Sequence, residues 1–401
     1  MQIIPRLGWG VLIPALILTG LGLFGVYAGE AGRGETPGQG IQASAAIGHE
    51  LPAQTMRQSA FLGAGIAGVL LIQIVGYRAI GRYAYLMFGG VLVLLVLLIV
   101  ARKVSLSPFI QPKRNTYRWI FIGPINIQVS EYTKVVYIIA LAFYLRFRTN
   151  YRSFGGLFMP FLLTLVPVAL ILKEPDLGTS LLLLPTLFVM LYVAGAKIKH
   201  LLTIIGLGAV VAPAFYFSPF MSEYQRDRIH SLVNQDESSE KWRLNEGYQL
   251  NQSKIALGSG RVFGRGVKQS AFFRHNLLPE EHNDFIFAVV GHQWGFAGCM
   301  GVMMLYLTMI ASGLTIASST TDPFGRLLAV GVCALIFAQM AINIGMTIGL
   351  MPITGMTLPF VSMGGSSLIA NYLAIGLLID VARRRPPDLA RKPFEFSGES
   401  E

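Results

Sequence analysis

From Leu327 to Ile379 the chain runs 53 residues without an Asp, Glu, Lys or Arg. A helix on the surface of a soluble domain places charged or polar side chains on its outer face every turn or so, and this stretch has no charge to place. Crossing a hydrocarbon core about 30 Å thick takes about 20 apolar residues in a helix, so one such stretch supplies two crossings. Pro352, Pro359 and the pair Gly364-Gly365 break it within Met351–Ser367, where the chain can turn back. Leu7–Gly29, Gln58–Tyr77, Tyr83–Ala101, Ser153–Leu172, Leu177–Ala196 and Leu201–Ser222 are further uncharged runs at or within a residue of span length. Phe285–Thr321 holds one more, and Val135–Leu145 reaches span length only with Glu131 and Lys134 at its mouth. The chain is 53% hydrophobic and 13% charged, against about 25% charged in ordinary soluble domains. These runs predict an all-α polytopic membrane protein with about ten transmembrane helices. No small-residue cleavage site follows the first run, which reads as a retained span.

Ten spans put both termini on one side. The short segments on that side carry 14 Lys/Arg, against 9 in the opposite short loops, which predicts cytoplasmic termini. The loop 102–134 runs against the bias with six basic residues, as it would if it met an anionic ligand. The net charge of +11 is therefore largely topological and no nucleic-acid signal. Arg383-Arg384-Arg385 reads as a juxtamembrane anchor to anionic membrane lipids. Cys299 and Cys333 lie in apolar runs, too few for a disulfide framework or a zinc site. Residues 1–385 form one membrane domain and 386–401 a disordered cytoplasmic tail, while 30–57 is a flexible outer connection. Between spans 7 and 8 comes a large outer-face loop, about 223–284, with nine basic and nine acidic residues. Within it, Gly247–Leu257 is predicted as a helix lying in the membrane interface.

Several groups in these loops could carry chemistry. Asp284 stands between the polar stretch from Leu278 and the uncharged run from Phe285. An acid at the mouth of a span resists desolvation, so it is a functional candidate, although a helix start also welcomes a carboxylate. The segment 258–266 contains four glycines, whose N–H groups could converge on a diphosphate with help from Arg261, Arg265 and Lys268; the plain alternative is a solvated turn. Glu280, Glu281, His282 and Asp284 offer mixed ligands for a divalent cation such as magnesium or manganese, with no second cluster beside them. Asp176 could cap the helix it precedes.

Longer motifs are more specific. Lys173–Thr179 (Lys-Glu-Pro-Asp-Leu-Gly-Thr), Tyr224–Ile229, Gly247–Gly260, Leu278–Phe287, Asn343–Gly349, Pro352–Gly355 and Leu358–Ser367 resemble, in order, motifs of the SEDS family (shape, elongation, division and sporulation). Ile344-Gly345-Met346, Pro352–Gly355 and Pro359–Ser362 resemble its elongation branch. The resemblance implies an inner-membrane, multi-pass enzyme that polymerises lipid II into peptidoglycan strands beside a class B penicillin-binding protein, a transpeptidase. It implies Asp284 as the essential carboxylate, the general base, and Trp119, Glu131 and Lys134 as matches to family residues of the second outer loop. Arg118, Lys134, Arg261 and Arg265 are the outer-face cations that could meet the diphosphate, and Asp176, Lys254 and His282 complete the candidate substrate-binding residues. The chain departs from the family at Val129, Asn276, His292-Gln293 and Met363. Two other readings stay open: a flippase or transporter of lipid-linked precursors, and an inactive scaffold for the transpeptidase.

The topology is testable directly. Cysteine introduced at Ser239 or Ala271 is expected to react with an impermeant thiol reagent from outside, and cysteine at Thr149 only after permeabilisation; the reverse pattern would invert the orientation.

Overall fold

The computed structural model describes residues 6–33, 53–101, 110, 117–122, 125–147, 152–217, 226, 228, 246–266 and 283–384. The helices are α1 (Arg6–Arg33), α2 (Ala53–Val75), α3 (Tyr77–Arg82), α4 (Ala84–Ala101), α5 (Val129–Leu145), α6 (Phe158–Lys173), α7 (Leu177–Ala194), α8 (Ile198–Tyr216), α9 (Glu246–Ser259), α10 (Ile286–Ser318), α11 (Pro323–Ile348) and α12 (Gly365–Arg384). Eight of them, α1, α2, α4, α6, α7, α10, α11 and α12, are long and apolar enough to cross a membrane. The shorter or less apolar α5 and α8 occupy the places of the fourth and seventh expected spans.

Burial sorts the bundle. α11 and α12 are buried along most of their length and form its centre, whereas α2 and α4 expose most of theirs, as lipid-facing helices do. α11 packs on α5, α7 and α10, and α12 packs chiefly on α2. Cys299 and Cys333 are both buried and free. The loop before α5 contains a two-stranded antiparallel hairpin, β1 (Trp119–Ile122) with β2 (Ile125–Gln128), in the register Trp119 to Gln128. No strand was expected there. A four-residue strand inside a loop of mixed composition carries too little alternation to announce itself.

The arginines at the end of α12 correct another expectation. Arg383 Nη1 and Arg384 Nη2 donate to the carbonyl of Gln73, at 3.1 and 3.0 Å. Arg384 Nε also donates to Asp380 Oδ1 at 2.9 Å, and the other oxygen of that fully buried carboxylate accepts from Tyr77 N at 2.6 Å. Cations thus cap the carbonyl end of α2 while an anion caps the amide end of α3. Two of the three basic residues read as a lipid anchor are internal ties; Arg385 lies outside the described residues, as does the tail 386–401. Asp380→Ala is expected to lower stability by about 3 kcal/mol, the upper range for hydrogen bonds to a charged group. A melting temperature in detergent equal to wild type would show that this clasp contributes nothing.

Candidate active site

The irregular segment Met351–Gly364, between α11 and α12, lies across the mouth of α10. Its prolines and positive-φ glycine prevent a helix, so its polar backbone must find partners elsewhere. Asn343, from inside α11, donates from Nδ2 to the carbonyl of Asp284 at 2.9 Å and to that of Met356 at 2.6 Å. Ser362 Oγ donates to Asn283 O at 2.5 Å, and Gln339 Nε2 to Thr357 O at 2.9 Å. Asp284 is half-buried, and Phe285 and Ile286 behind it are buried. The backbone at Gly355, whose φ of +68° favours glycine, runs close beside its carboxylate. A β-carbon added there would lie 3.3 Å from Asp284 Oδ2 and 3.5 Å from Arg228 Nη2. Arg228 is buried and donates from Nη1 to Thr354 O at 2.8 Å. It falls inside a motif the sequence displays, Tyr224–Ile229, but nothing in its spacing sets it beside Asp284.

Helix α9 is docked on the rest of the protein. Leu250 and Ala256 are buried against Phe285, Ala288 and Ile353, and Ser253 Oγ donates to Thr347 O at 2.9 Å. The imperfect apolar spacing read from the sequence reflects docking on three neighbours instead of lying on one flat surface.

The glycine segment that follows α9 serves a helix break. α10 departs from helical geometry at Gly295 (φ 66°, ψ −160°). The carbonyls of His292 and Gln293 accept instead from Arg265 N at 2.9 Å and Gly266 N at 3.1 Å. The amides of Phe296 and Ala297 donate to Arg261 O at 2.8 Å and Val262 O at 3.0 Å. Ser259 Oγ and His292 Nδ1 share a further bond at 2.6 Å. Glycine is required by proximity: a β-carbon at Gly264 would stand 2.1 Å from Gln293 O. The anion cradle expected at 258–266 is thereby corrected, because the amides of Gly264, Arg265 and Gly266 already have partners. The side chains of Arg261 and Arg265 are exposed, with Arg265 Nε donating to Ser259 O at 2.8 Å.

A second polar group sits where α5 and α7 begin. Asp176 caps α7 through Thr179 N at 3.2 Å, and its Oδ2 accepts from Ser130 Oγ at 2.9 Å and Thr179 Oγ1 at 3.0 Å. Those bonds make it a structural cap more than a substrate ligand. Lys134, expected as an outer-face cation, is buried in α5, paired with Glu131 at 2.7 Å and donating to Gln339 Oε1 at 3.3 Å. A charge so deep persists only when paired, which is the physical reason for the correction. Arg118 donates to the carbonyls of Glu174 and Pro175, and so braces the α6–α7 turn. Trp119 on β1 and Lys254 on α9 are half-buried. The two groups meet through Gly178, where a β-carbon would lie 3.1 Å from Thr354 O. His282 lies outside the described residues, with Glu280 and Glu281, and among the described residues no three His, Cys, Asp or Glu side chains gather to hold a metal ion.

The family of cell cycle proteins FtsW, RodA and SpoVE matches residues 38–386. Stage V sporulation protein E of Bacillus subtilis is 36% identical over 82% of this chain and 86% of its own. A probable peptidoglycan glycosyltransferase FtsW of Geobacter metallireducens is 33% identical over 82% and 84%. Peptidoglycan glycosyltransferase MrdB of Escherichia coli is 32% identical over 70% and 75%. Among solved structures, a peptidoglycan synthase complex that coordinates polymerisation and crosslinking contains a chain of TM-score 0.74 and 28% identity, covering 95% of this chain and 98% of that one. The rod shape determining protein RodA of Thermus thermophilus has a TM-score of 0.66 at 28% identity, with the same coverage. The fold and the site thus define a multi-pass membrane protein with a polar centre at one end of its bundle. The chain belongs to the FtsW/RodA/SpoVE family, the SEDS family.

Glu174 gives the site a pH signature. Both carboxylate oxygens are buried without a hydrogen-bond partner, and burial, then the neighbouring Asp176, push the group up to about 8 against the pull of Arg118. The folded state therefore holds this proton where the unfolded chain has released it. Stability conferred by the neutral form is complete below the ordinary carboxylate range and is lost as pH rises towards about 8. Glu174→Gln is expected to melt above wild type at pH 9 and close to it at pH 4. A gap that does not widen with pH would mean that Glu174 is solvated.

Proposed function

We propose that this protein is a peptidoglycan glycosyltransferase that polymerises lipid II into glycan strands at the outer face of a bacterial plasma membrane, with Asp284 as general base. Family membership and relatives named for that activity support the reaction class. The single observation that carries the assignment of the base is the position of Asp284. It is a half-buried carboxylate at the mouth of α10, held through its own carbonyl by Asn343 and flanked by the close backbone of Gly355.

A sugar hydroxyl of one lipid-linked disaccharide attacks the anomeric carbon of another, and polyprenyl diphosphate leaves. Asp284 takes the hydroxyl proton. Arg261 and Arg265, exposed on the segment beside α10, are offered to the leaving diphosphate by their side chains. Lys134 and Asp176 act from beneath, by holding α5 and α7 in place. A divalent cation, when bound, would be held by Asp284 with Glu280, Glu281 and His282 and would supply positive charge to the leaving diphosphate. The chain would cross the membrane ten times with both termini in the cytoplasm, as a domain spanning 1–385. A class B penicillin-binding protein is its proposed partner, in line with a structural neighbour that couples polymerisation to crosslinking. The motifs 344–346, 352–355 and 359–362, which resemble the elongation branch, support a role in cell-wall elongation and the control of cell shape.

Asp284→Asn keeps volume and hydrogen-bonding capacity but cannot take a proton. Positioned bases contribute about 10²–10⁴-fold, so a loss of that order is expected in polymerisation of fluorescent lipid II by purified protein, with folded yield and partner binding retained. Normal strands from the variant would sink the base assignment. A wild-type protein that binds the transpeptidase yet makes no strands would favour a scaffold.

A further inference from the structure

We propose that the turn between α7 and α8 is a binding site for a negatively charged glycerophospholipid, whose headgroup meets Arg152, Lys197 and Lys199 and whose acyl chains lie along α8. The leaflet, cytoplasmic, rests on the orientation proposed above. Two segments far apart in sequence build the site. α7 ends at Gly195, where φ is +103° and the amides of Gly195 and Ala196 return to the carbonyls of Tyr192 and Leu191, at 3.0 and 2.9 Å. This closed turn sets Lys197 and Lys199 directly after it, at the start of α8. Arg152 reaches the same turn from ahead of α6: a β-carbon on Gly195 would lie 3.8 Å from its Nη2 and 3.9 Å from its Nε. Phe154 meets the ring of His200 edge to face with centroids 5.8 Å apart, which seats the segment carrying Arg152 against the first turn of α8.

What gathers at this turn is positive charge without a counter-ion. Arg152, Lys197 and Lys199 are exposed and, among the described residues, none of them forms a hydrogen bond or ion pair. Between Leu145 and Glu223 the only acids are Glu174 and Asp176, at the opposite end of α6 and α7. Asp322 and Asp380, at the near end, are engaged by Tyr77 and Arg78 and by Tyr77 and Arg384. Like charges brought to one turn repel, and a phosphodiester among them turns that repulsion into attraction. The guanidinium offers a phosphate two parallel N–H donors, and the lysines add point charges on flexible stems. The apolar half of the site adjoins the cations. Ile198, Leu202 and Ile205 are exposed and recur at helical spacing, so they form one strip that runs from the lysines along α8 into the membrane. A soluble phosphate would leave that strip unused, and a lipid without net charge would leave the cations unpaired. Basic pockets between helices on the cytoplasmic side are where anionic headgroups bind.

The test titrates the full chain, purified in a neutral detergent, with phosphatidylglycerol and counts the lipids retained per protein by native mass spectrometry. Micelles have no sides, so the titration bears on the site and not on the orientation, and strand synthesis is not its readout. Arg152→Gln with Lys197→Gln is expected to raise the Kd of the first binding step about 30-fold, at about 5-fold for each cation near an anionic surface. Lys199→Gln, a single exposed change, is expected to raise it about 5-fold and keeps the test open if the double variant folds poorly. Arg82→Gln with Arg326→Gln removes two other exposed cations of the same end and should leave that step unchanged. Phosphatidylcholine should bind wild type and variants alike, and glycerol 3-phosphate should not displace phosphatidylglycerol. Equal weakening in the two double variants would reduce the site to diffuse attraction and overturn it. A wild-type Kd in both Lys199→Gln and the Arg152→Gln, Lys197→Gln protein would overturn it as well. Displacement by glycerol 3-phosphate would make the turn a site for a soluble phosphate and sink the lipid assignment.

Discussion

The broken helix α10 is the constraint around which the polar end of this protein is built. In hydrocarbon a backbone amide or carbonyl without a partner costs several kcal/mol, so a helix can break there only if another segment supplies what the ladder loses. Residues 261–266 supply it, with two carbonyls for Phe296 and Ala297 and two amides for His292 and Gln293. That exchange brings the end of α9 against α10. α9 in turn buries Leu250 and Ala256 on Phe285, the residue that follows Asp284, and on Ile353, two positions before Gly355. Asp284 is therefore placed by a chain of contacts that begins with a glycine inside a span.

The same rule explains the segment 351–364. Irregular backbone at the edge of a bundle survives where side chains from regular helices satisfy it. Asn343 and Gln339, one turn apart on α11, reach Met356 and Thr357. Ser367 at the start of α12 completes the row through Thr357 Oγ1, at 2.7 Å. Polar residues inside a membrane helix are costly and usually functional. In this fold they act largely by holding a loop that could not otherwise exist, and that loop forms one wall of the site.

Much of this could be read from the sequence, and the parts that could not have a common physical cause. Uncharged runs announce helices one at a time, because crossing a membrane is a local demand on about 20 residues. The expected spans around α1, α2, α4, α6, α7, α10, α11 and α12 accordingly coincide with helices of crossing length. Asp284 stood out because it borders such a run. Arg228 did not, since the approach of both residues to Gly355 joins positions more than fifty residues apart. The glycines of 258–266 could be recognised as unusual but not assigned. A nest of amides for an anion and a patch for a helix break demand the same residue, and only the position of Gly295 separates them. The hairpin 119–128 and the caps formed by Arg383 and Arg384 are likewise pairwise facts, invisible to periodicity.

The buried charges then separate scaffold from chemistry. Glu131 and Lys134 neutralise each other inside α5, Asp176 closes the first turn of α7, and Asp380 is shared between Tyr77 and Arg384. Each has a geometry that a substrate would have to dismantle, at the cost of leaving a partner charge buried. Asp284 and Arg228 meet at the loop instead: at Gly355, with φ set where glycine is favoured, the backbone runs so close that a β-carbon would lie 3.3 Å from Asp284 Oδ2 and 3.5 Å from Arg228 Nη2. Glycine is needed at that turn both for its backbone angle and for the closeness of the approach, and this ties the shape of the loop to the position of Asp284.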